Sequence, residues 1–474
     1  MTKPALDAIV IGSGPNGLSA AIAIARAGRS VRVYEAAGVI GGATKSAALT
    51  LPGFTHDFGA AVHALVPMSP FLRTLPLAEH GLSLVSPDAP FAHPLDGKPA
   101  VIVEQSVRAT ADKFSAADGR AYRSLIEPWV NDAPALMDAL LAPFGLQHPI
   151  TMGLFGLRAI RSVDGLARRF ESEQLRAMLA GVGAHSMVPL ENLATAGYTL
   201  ALIIGAHAGG WPVAKGGSQQ LSNAMASYLK SLGGEIVTSS PVASLAELPP
   251  ARAVLCDVTP VQFAKLAGNA PASGGAARRL AQHRRGPGVF KMDWALHAPV
   301  PWADPACGRA GTVHVGGTLE QIAAAEREVW AGRTNEKPYV LVVQPSLCDP
   351  SRAPAGKHTL WAYCHVPNGC TEDMSARIEA QIERFAPGFR DCIAARSALF
   401  PADLERANAN LLGGDIAGGA ADFEQLLWRS AAFDPYSTPV EHIYLCSSST
   451  PPGVGVHGMC GFHAARSALK RSLS

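Results

Sequence analysis

Charge is scarce in this chain, and so is any imbalance of charge. Only 16% of its 474 residues are Asp, Glu, Lys or Arg, and 40 basic against 38 acidic side chains leave +2. Nothing in that balance points to nucleic acid or to a strongly charged partner. Cysteine is missing from the first half: all eight lie at or beyond Cys256, and none forms C-x-x-C. A disulfide scaffold and a dithiol redox centre are both excluded, and reduced thiols in a cytoplasmic protein are expected. The histidines show no H-x-x-x-H spacing, so no metal is expected. A secretory leader is not expected either, since the first apolar run, from residue 7, reads as a core strand. The best candidate for a membrane span, Leu193 to Ala214, has no charge but is broken by Gly205, His207, Gly209, Gly210 and Pro212. It reads as a buried helix running into a loop. With 48% apolar residues, the length suits two globular domains.

What is present begins at Asp7. Ala8-Ile9-Val10-Ile11 is an unbroken apolar run, the pattern of a strand buried on both faces of a parallel sheet. Gly12, Gly14 and Gly17 follow as G-x-G-x-x-G, then an Ala-rich helix from Leu18 to Ala27 with Gly28 placed to end it. A second strand, Val31 to Tyr34, ends in Glu35, twenty-one residues after Gly14. Gly12 permits the tight turn, Gly14 admits a pyrophosphate to the backbone, and Gly17 lets helix and strand close up. The helix N-terminus offers N–H groups to a diphosphate, and Glu35 can accept ribose hydroxyls. Strand, glycines, helix, strand and acid together define a dinucleotide-binding unit.

Gly41-Gly42-Ala43-Thr44 comes soon after Glu35, followed by Pro52-Gly53-Phe54-Thr55-His56-Asp57-Phe58-Gly59. With the first unit, this resembles the amine oxidase and phytoene desaturase superfamily of FAD proteins. The resemblance implies FAD, with Ser13, Pro15, Asn16 and Ala36 in its N-terminal motif and Gly41 to Thr44 along the diphosphate. It extends to Lys215–Val242, where the Val242 backbone would lie beside adenine. It also covers Leu445–Ala465, whose Pro452, Gly453, Gly455, Val456 and Met459 would meet the flavin. Within the superfamily, Phe290-Lys291-Met292-Asp293, Gly311 to Val315, Pro345 to Pro350 and Gly413 to Ile416 resemble the pyridine nucleotide-disulfide oxidoreductase domain-containing branch. Cys446 and Cys460 do not match the cysteine that carries covalent flavin in monoamine oxidases, so FAD is expected to be held non-covalently.

The expected architecture combines α/β and α+β parts: a discontinuous Rossmann-type FAD-binding domain and a substrate domain of antiparallel sheet with a helical cap. Residues 1–75, 206–265 and 406–474 are assigned to the FAD-binding domain, 76–205 and 266–405 to the substrate domain. In 76–205 the strand–glycine–helix rhythm is lost. Tyr122, Leu125, Ile126, Trp129 and Val130 predict a helix over 120–130, and Ala135–Leu146 and Met152–Ile160 are further apolar stretches. Val289 to His297 alternates, with Lys291, Asp293 and His297 predicted on a wet face. Thr312–Val315, Tyr339–Gln344 and Thr359–His365 predict more strands, and Thr371 is placed to cap a helix bearing Met374, Ile378, Ile382 and Phe385. Gly453, Gly455 and Gly458 repeat G-x-G-x-x-G, but no second strand and acid follow, so a nicotinamide site is not expected there.

Flavin chemistry would leave the protein to supply position and field. His63 and His457 are the candidate acid–base groups, each also readable as structural. His185, His207 and Trp211 are placed where a cavity wall is plausible, and Asp415 reads as a turn residue. The resemblance implies dehydrogenation, desaturation or isomerisation of a hydrophobic, isoprenoid or lipid-like substrate by hydride transfer to flavin N5, with oxygen or a quinone taking the electrons. A flavin amine oxidase is the alternative enzyme, and an FAD-carrying scaffold that binds partners without turnover is the alternative of another class. At most peripheral membrane contact is expected, through the apolar cap of residues 135–160.

Overall fold

The computed structural model describes residues 6–143, 149–268, 280, 282–430 and 434–474. The apolar stretch predicted over 135–146 therefore lies partly outside the described residues. The chain opens with β1 (Leu6–Ile11), α1 (Pro15–Arg26) and β2 (Val31–Tyr34), then a hairpin of β3 (Ala89–Leu95) and β4 (Lys98–Val103). Helices α2 (Ala116–Asn131), α3 (Ala133–Leu140), α4 (Pro149–Ala159), α5 (Glu173–Gly183) and α6 (Thr195–Gly209) follow. Next come α7 (Gln219–Ser231), β5 (Glu235–Val237), β6 (Ala251–Cys256) and α8 (Pro260–Ala267). Then come β7 (Gly288–Leu296), β8 (Ala310–Val315), β9 (Val340–Val343), β10 (His358–Val366), α9 (Ser375–Phe385) and β11 (Ile393–Leu399). Finally, β12 (Ile443–Leu445) and α10 (Met459–Arg471) return to the start.

One sheet has five strands in the order β12-β6-β1-β2-β5, and every pairing in it is parallel. Its centre, β1, carries the apolar run Ala8–Ile11 expected of a strand covered on both sides. Helix α1 is buried from Asn16 through Ala25, because α7 and α10 both pack on it. Small residues make this possible: a Cβ on Gly461 of α10 would stand 1.7 Å from the Asn16 carbonyl. Only glycine lets the two helices approach that closely.

The second sheet has seven strands in the order β11-β7-β10-β9-β8-β3-β4. All its pairings are antiparallel except β3 with β8, which is parallel. The sheet is therefore mixed, and the hairpin that makes it so lies where the strand rhythm was read as lost. Asp96-Gly97 is its two-residue turn, with Gly97 at φ +64°.

The predicted wet face on β7 is a second correction. Every residue from Gly288 to Leu296 is buried. Phe290, Met292, Trp294 and Leu296 pack with Ile378, Ile382 and Phe385 of α9. The opposite face of the sheet packs against the helical layer: Val289, Leu341, Val343, Trp361 and Tyr363 share a core with Leu136, Phe155, Leu179 and Ile203. Lys291 and Asp293 stay buried there because they pair with each other. A third correction concerns α9, which starts at Ser375 with no cap from Thr371; the Asp373 carboxylate accepts the Ser375 N–H at 2.8 Å instead. Leu193–Ala214 contains α6, a buried helix that leads into a loop, as read.

Candidate functional site: a glycine cradle opening into an apolar chamber

One cavity of about 740 Å³ joins the two sheets. At one end stands the β1–α1 turn. Helix α1 begins at Pro15 with no cap from its own N-cap residue, and of its first N–H groups that of Gly17 is taken by the Asp257 carboxylate. Gly14 and Gly42 face each other there: a Cβ on Gly42 would lie 3.1 Å from the Gly14 Cα, and one on Gly14 would lie 2.8 Å from Asp257 Oδ2. The buried Asn16 Oδ1 has no partner. Glu35, at the end of β2, accepts the Ser13 N–H at 3.0 Å and the Ala37 N–H at 2.8 Å, which fixes its carboxylate at the cavity edge. A glycine turn at a helix N-terminus, facing glycines and a fixed carboxylate at the second strand fit a dinucleotide.

Asp257, after β6, is a group the sequence reading did not single out. It accepts the Gly17 N–H at 2.9 Å and stands on the cavity wall. Burial pushes its carboxyl up to about 7; the Gly17 bond opposes this and the neighbouring Glu35 adds to it. A charged Asp257 would oppose a diphosphate.

The other end of the cavity is a chamber on the seven-stranded sheet, walled by Leu202, Leu341, Val343, Leu404 and Ile416 with Trp211, Trp361 and Tyr363. Trp361 and Tyr363 meet edge to face at 5.3 Å. Lys291 also borders the chamber; its Nζ pairs with Asp293 and lies 5.7 Å from the Trp361 ring. Burial lowers the Lys291 ammonium and raises the Asp293 carboxyl, so the pair is drawn toward its neutral form. The alternation that misled the reading of β7 was the signal for both residues.

Between the two ends runs the predicted segment 57–63. Asp57 anchors it: Oδ1 accepts the Ser218 N–H at 2.7 Å, and Oδ2 accepts from Arg352 Nη1 at 2.9 Å. Arg352 is wholly buried and also donates to Asp349 and to the Ala214 carbonyl. Trp361 Nε1 donates to the Asp57 carbonyl at 3.0 Å. This network ties the nucleotide-side segment to the chamber.

Of the predicted residues, Gly12, Ser13, Gly14, Pro15, Asn16, Glu35, Ala36, Gly42, Ala43, Thr44, Val242, Gly455 and Val456 line the cavity. Gly17 and Gly41 sit behind that wall: Gly17 donates to Asp257, and Gly41 donates to the Ser13 carbonyl. His63 lines it too. Ser218 Oγ gives its hydrogen to the Ala60 carbonyl and so accepts from His63 Nε2 at 2.9 Å, which leaves Nδ1 bare, enclosed and without a partner. Burial lowers the imidazole to about 4, so it is neutral.

His457 is placed differently from its reading as a site group. It is buried, Nδ1 accepts the Met459 N–H at 3.0 Å, and Nε2 donates to the Gly453 carbonyl at 3.2 Å. Both ring nitrogens are spent on the loop that starts α10, and the ring does not border the cavity. Pro452, Gly453 and Met459 stand behind the same wall. Asp415 holds backbone, accepting the Gly286 and Ala417 N–H groups.

Residues 10–75 match the NAD(P)-binding Rossmann-like domain family. The mouse (Mus musculus) pyridine nucleotide-disulfide oxidoreductase domain-containing protein 2 is 29% identical over 98% of this chain and 93% of its own length. The neurosporene-forming phytoene desaturase of Rhodobacter capsulatus is 25% identical, over 96% of this chain and 92% of the relative. A putrescine oxidase solved with putrescine bound superposes with a TM-score of 0.63 at 19% identity, covering 98% of each chain. The fold is therefore that of an oxidoreductase with a dinucleotide-binding unit. Along nearly its whole length the chain is similar to the pyridine nucleotide-disulfide oxidoreductase domain-containing and phytoene desaturase proteins.

Proposed function

We propose that this protein binds FAD non-covalently and dehydrogenates, desaturates or isomerises a hydrophobic substrate of isoprenoid or other lipid type. The observation that carries the reading is the continuity of one cavity from the glycine cradle to a chamber of aliphatic and aromatic walls. Gly14, Asn16 and Gly42 would hold the diphosphate, Glu35 the ribose, Val242 the adenine, and Gly455 with Val456 the flavin. When bound, FAD supplies the acceptor for a hydride leaving a substrate carbon. The chain's own residues exclude water from the chamber and orient an apolar molecule in it. His63, neutral and with Nδ1 enclosed, holds the wall through Ser218, and Lys291 can give or take a proton at Nζ. Cys446 and Cys460 are buried and do not border the cavity, which favours a non-covalent cofactor.

An amine oxidase is the second reading, and the Trp361–Tyr363 pair favours it. Against it, the ionisable side chain bordering the chamber, Lys291, is basic, while the carboxylates on the cavity wall, Glu35 and Asp257, stand at the glycine turn. Gly453–Gly458 does not serve a nicotinamide on this reading. Its helix lies against α1, and a Cβ on Gly458 would stand 2.1 Å from Ser19 Oγ. Oxygen or a quinone is the proposed electron acceptor. Among the described residues no helix is long and apolar enough to cross a membrane. Peripheral contact is proposed through α4, where Ile150, Leu154 and Leu157 are exposed.

Purified protein is expected to be yellow and to release FAD on denaturation. Glu35→Ala should weaken FAD binding by about 1.5–3 kcal/mol through loss of charge-assisted bonds. FMN, NAD or no cofactor in a folded sample would overturn the assignment, and a flavin that no candidate lipid reduces would favour the scaffold.

A further inference from the structure

The chamber wall carries a histidine pair to which neither the proposed reaction nor the cofactor assigns a role. His185 lies in the turn after α5 and borders the cavity; its Nε2 is 2.9 Å from Nε2 of His314 on β8. Gly181 makes the approach possible, since a Cβ there would stand 2.9 Å from the His314 Cβ and 2.7 Å from His93 Nδ1. His314 is fully buried, with its ring held beside Phe91 and Tyr339. Burial lowers His185 to about 3 and holds His314 well below the ordinary imidazole range, so both rings are neutral.

Two neutral imidazoles that share an Nε2–Nε2 contact hold one proton between those atoms. The ring that accepts there must carry its own proton on Nδ1. The hydrogen-bond surroundings assign which ring that is. Nδ1 of His314 is enclosed and has no partner, and an orphaned N–H in that position is rarer and costlier than a bare lone pair. His314 therefore donates from Nε2. His185 accepts, and its proton sits on Nδ1. Among the described residues that atom has no protein partner, and it is not one of the sealed, partnerless ring nitrogens, as Nδ1 of His63, His93 and His314 are.

We propose that His185 is a fixed hydrogen-bond donor on the chamber wall, so that the substrate is a neutral apolar molecule carrying a hydrogen-bond-accepting oxygen. His314 is the positioning residue that sets the tautomer. This deepens the proposed function and rests on its placing of the substrate in the chamber. The other polar groups there are less fixed as donors. Thr312 Oγ1 accepts from Trp211 Nε1 at 2.8 Å and keeps an O–H that rotates, and Lys291 is drawn toward Asp293, its pair. The Tyr363 hydroxyl rotates and can either donate or accept, so it selects less sharply. A pure hydrocarbon would bury the His185 N–H unpaired, and a cationic amine would meet Lys291, with which Asp293 is already paired.

The test titrates flavin-loaded protein with undecan-2-one, undecane and undecylamine, read by quenching of tryptophan fluorescence, with Trp211 and Trp361 on the chamber wall. Flavin absorbance measures loading first; a colourless sample counts against the FAD reading while the titration still reports on the chamber. The ketone should bind about five- to tenfold tighter than undecane. His185→Phe should abolish that preference, weakening the ketone and tightening undecane, and saturable undecane binding also shows the variant to be folded. His185→Asn, which keeps a donor, should restore part of the preference. Equal binding of ketone and alkane to the unaltered protein, tightest binding of undecylamine, or a ketone preference that survives His185→Phe would each overturn the proposal.

Discussion

The glycine cradle and the apolar chamber are two ends of one cavity, built by opposite means. The cradle is made of backbone: Gly14, Gly17 and Gly42 matter for the side chains they lack, and neighbouring atoms leave no room for a Cβ. The chamber is made of side chains brought from β7, β8, β9, β10 and the helical layer, held by buried ion pairs and aromatic contacts. A backbone site has to be nearly contiguous in sequence, whereas a side-chain site can be drawn from anywhere. The cradle should therefore fail when volume is added, and the chamber when a charge loses its partner.

Arg352→Ala should have the largest effect. It leaves Asp57 and Asp349 without the buried guanidinium that joins them. A loss of about 3–5 kcal/mol is expected, read by urea or thermal unfolding. A smaller loss would show that water or main-chain donors, such as the Ser218 N–H, already carry those carboxylates. Gly17→Ala comes next. Its Cβ would stand 2.2 Å from the Gly12 carbonyl, so the turn must open. The expected cost is about 1–3 kcal/mol of stability, together with loss of retained dinucleotide on gel filtration. If cofactor retention survived, the cradle would be softer than its geometry implies.

The smallest effect is one of pH. Asp257 titrates near 7 in the folded protein, above the usual carboxylate value, so the fold binds its proton more tightly than the unfolded chain does. Stability tied to this group is complete below about pH 4 and is lost as pH rises toward 7. Urea unfolding from pH 5 to pH 8 should therefore show the unaltered protein losing ground to Asp257→Asn as pH rises. A diphosphate would raise Asp257 further, so dinucleotide affinity should climb as pH falls from 8 to 6, and Asp257→Asn should flatten that slope. Parallel curves for the two proteins would remove Asp257 from the cradle's electrostatics.

The same contrast explains what was legible in the sequence. Ala8 to Glu35 could be read because strand, turn, helix and acid are local, and each residue type is demanded by its own backbone position. Lys291 and Asp293 could not be read correctly. An alternating strand has the same pattern whether its polar face meets water or a helical layer supplied by residues about a hundred positions away. His457 misled for a related reason: a histidine beside a helix start can face a ligand or fasten its own loop, and only the Met459 and Gly453 contacts decide. The hairpin at Asp96-Gly97 was readable, since that dipeptide between apolar runs is a strong turn signal, and it was passed over. Asp257 gave no local sign, because its importance comes from the Gly17 N–H across the sheet.

The close seat of α10 on α1 has a consequence for how the protein is made. Strand β6 lies between β1 and β12, so the five-stranded sheet cannot finish until residues 443–471 have left the ribosome. At ordinary elongation rates, β1 and α1 then wait for roughly tens of seconds before Gly461 arrives against Asn16. During that interval the Ala- and Ile-rich flank of α1 is bare. The nascent chain is expected to lean on chaperones longest at its beginning, and cofactor loading should follow synthesis rather than accompany it.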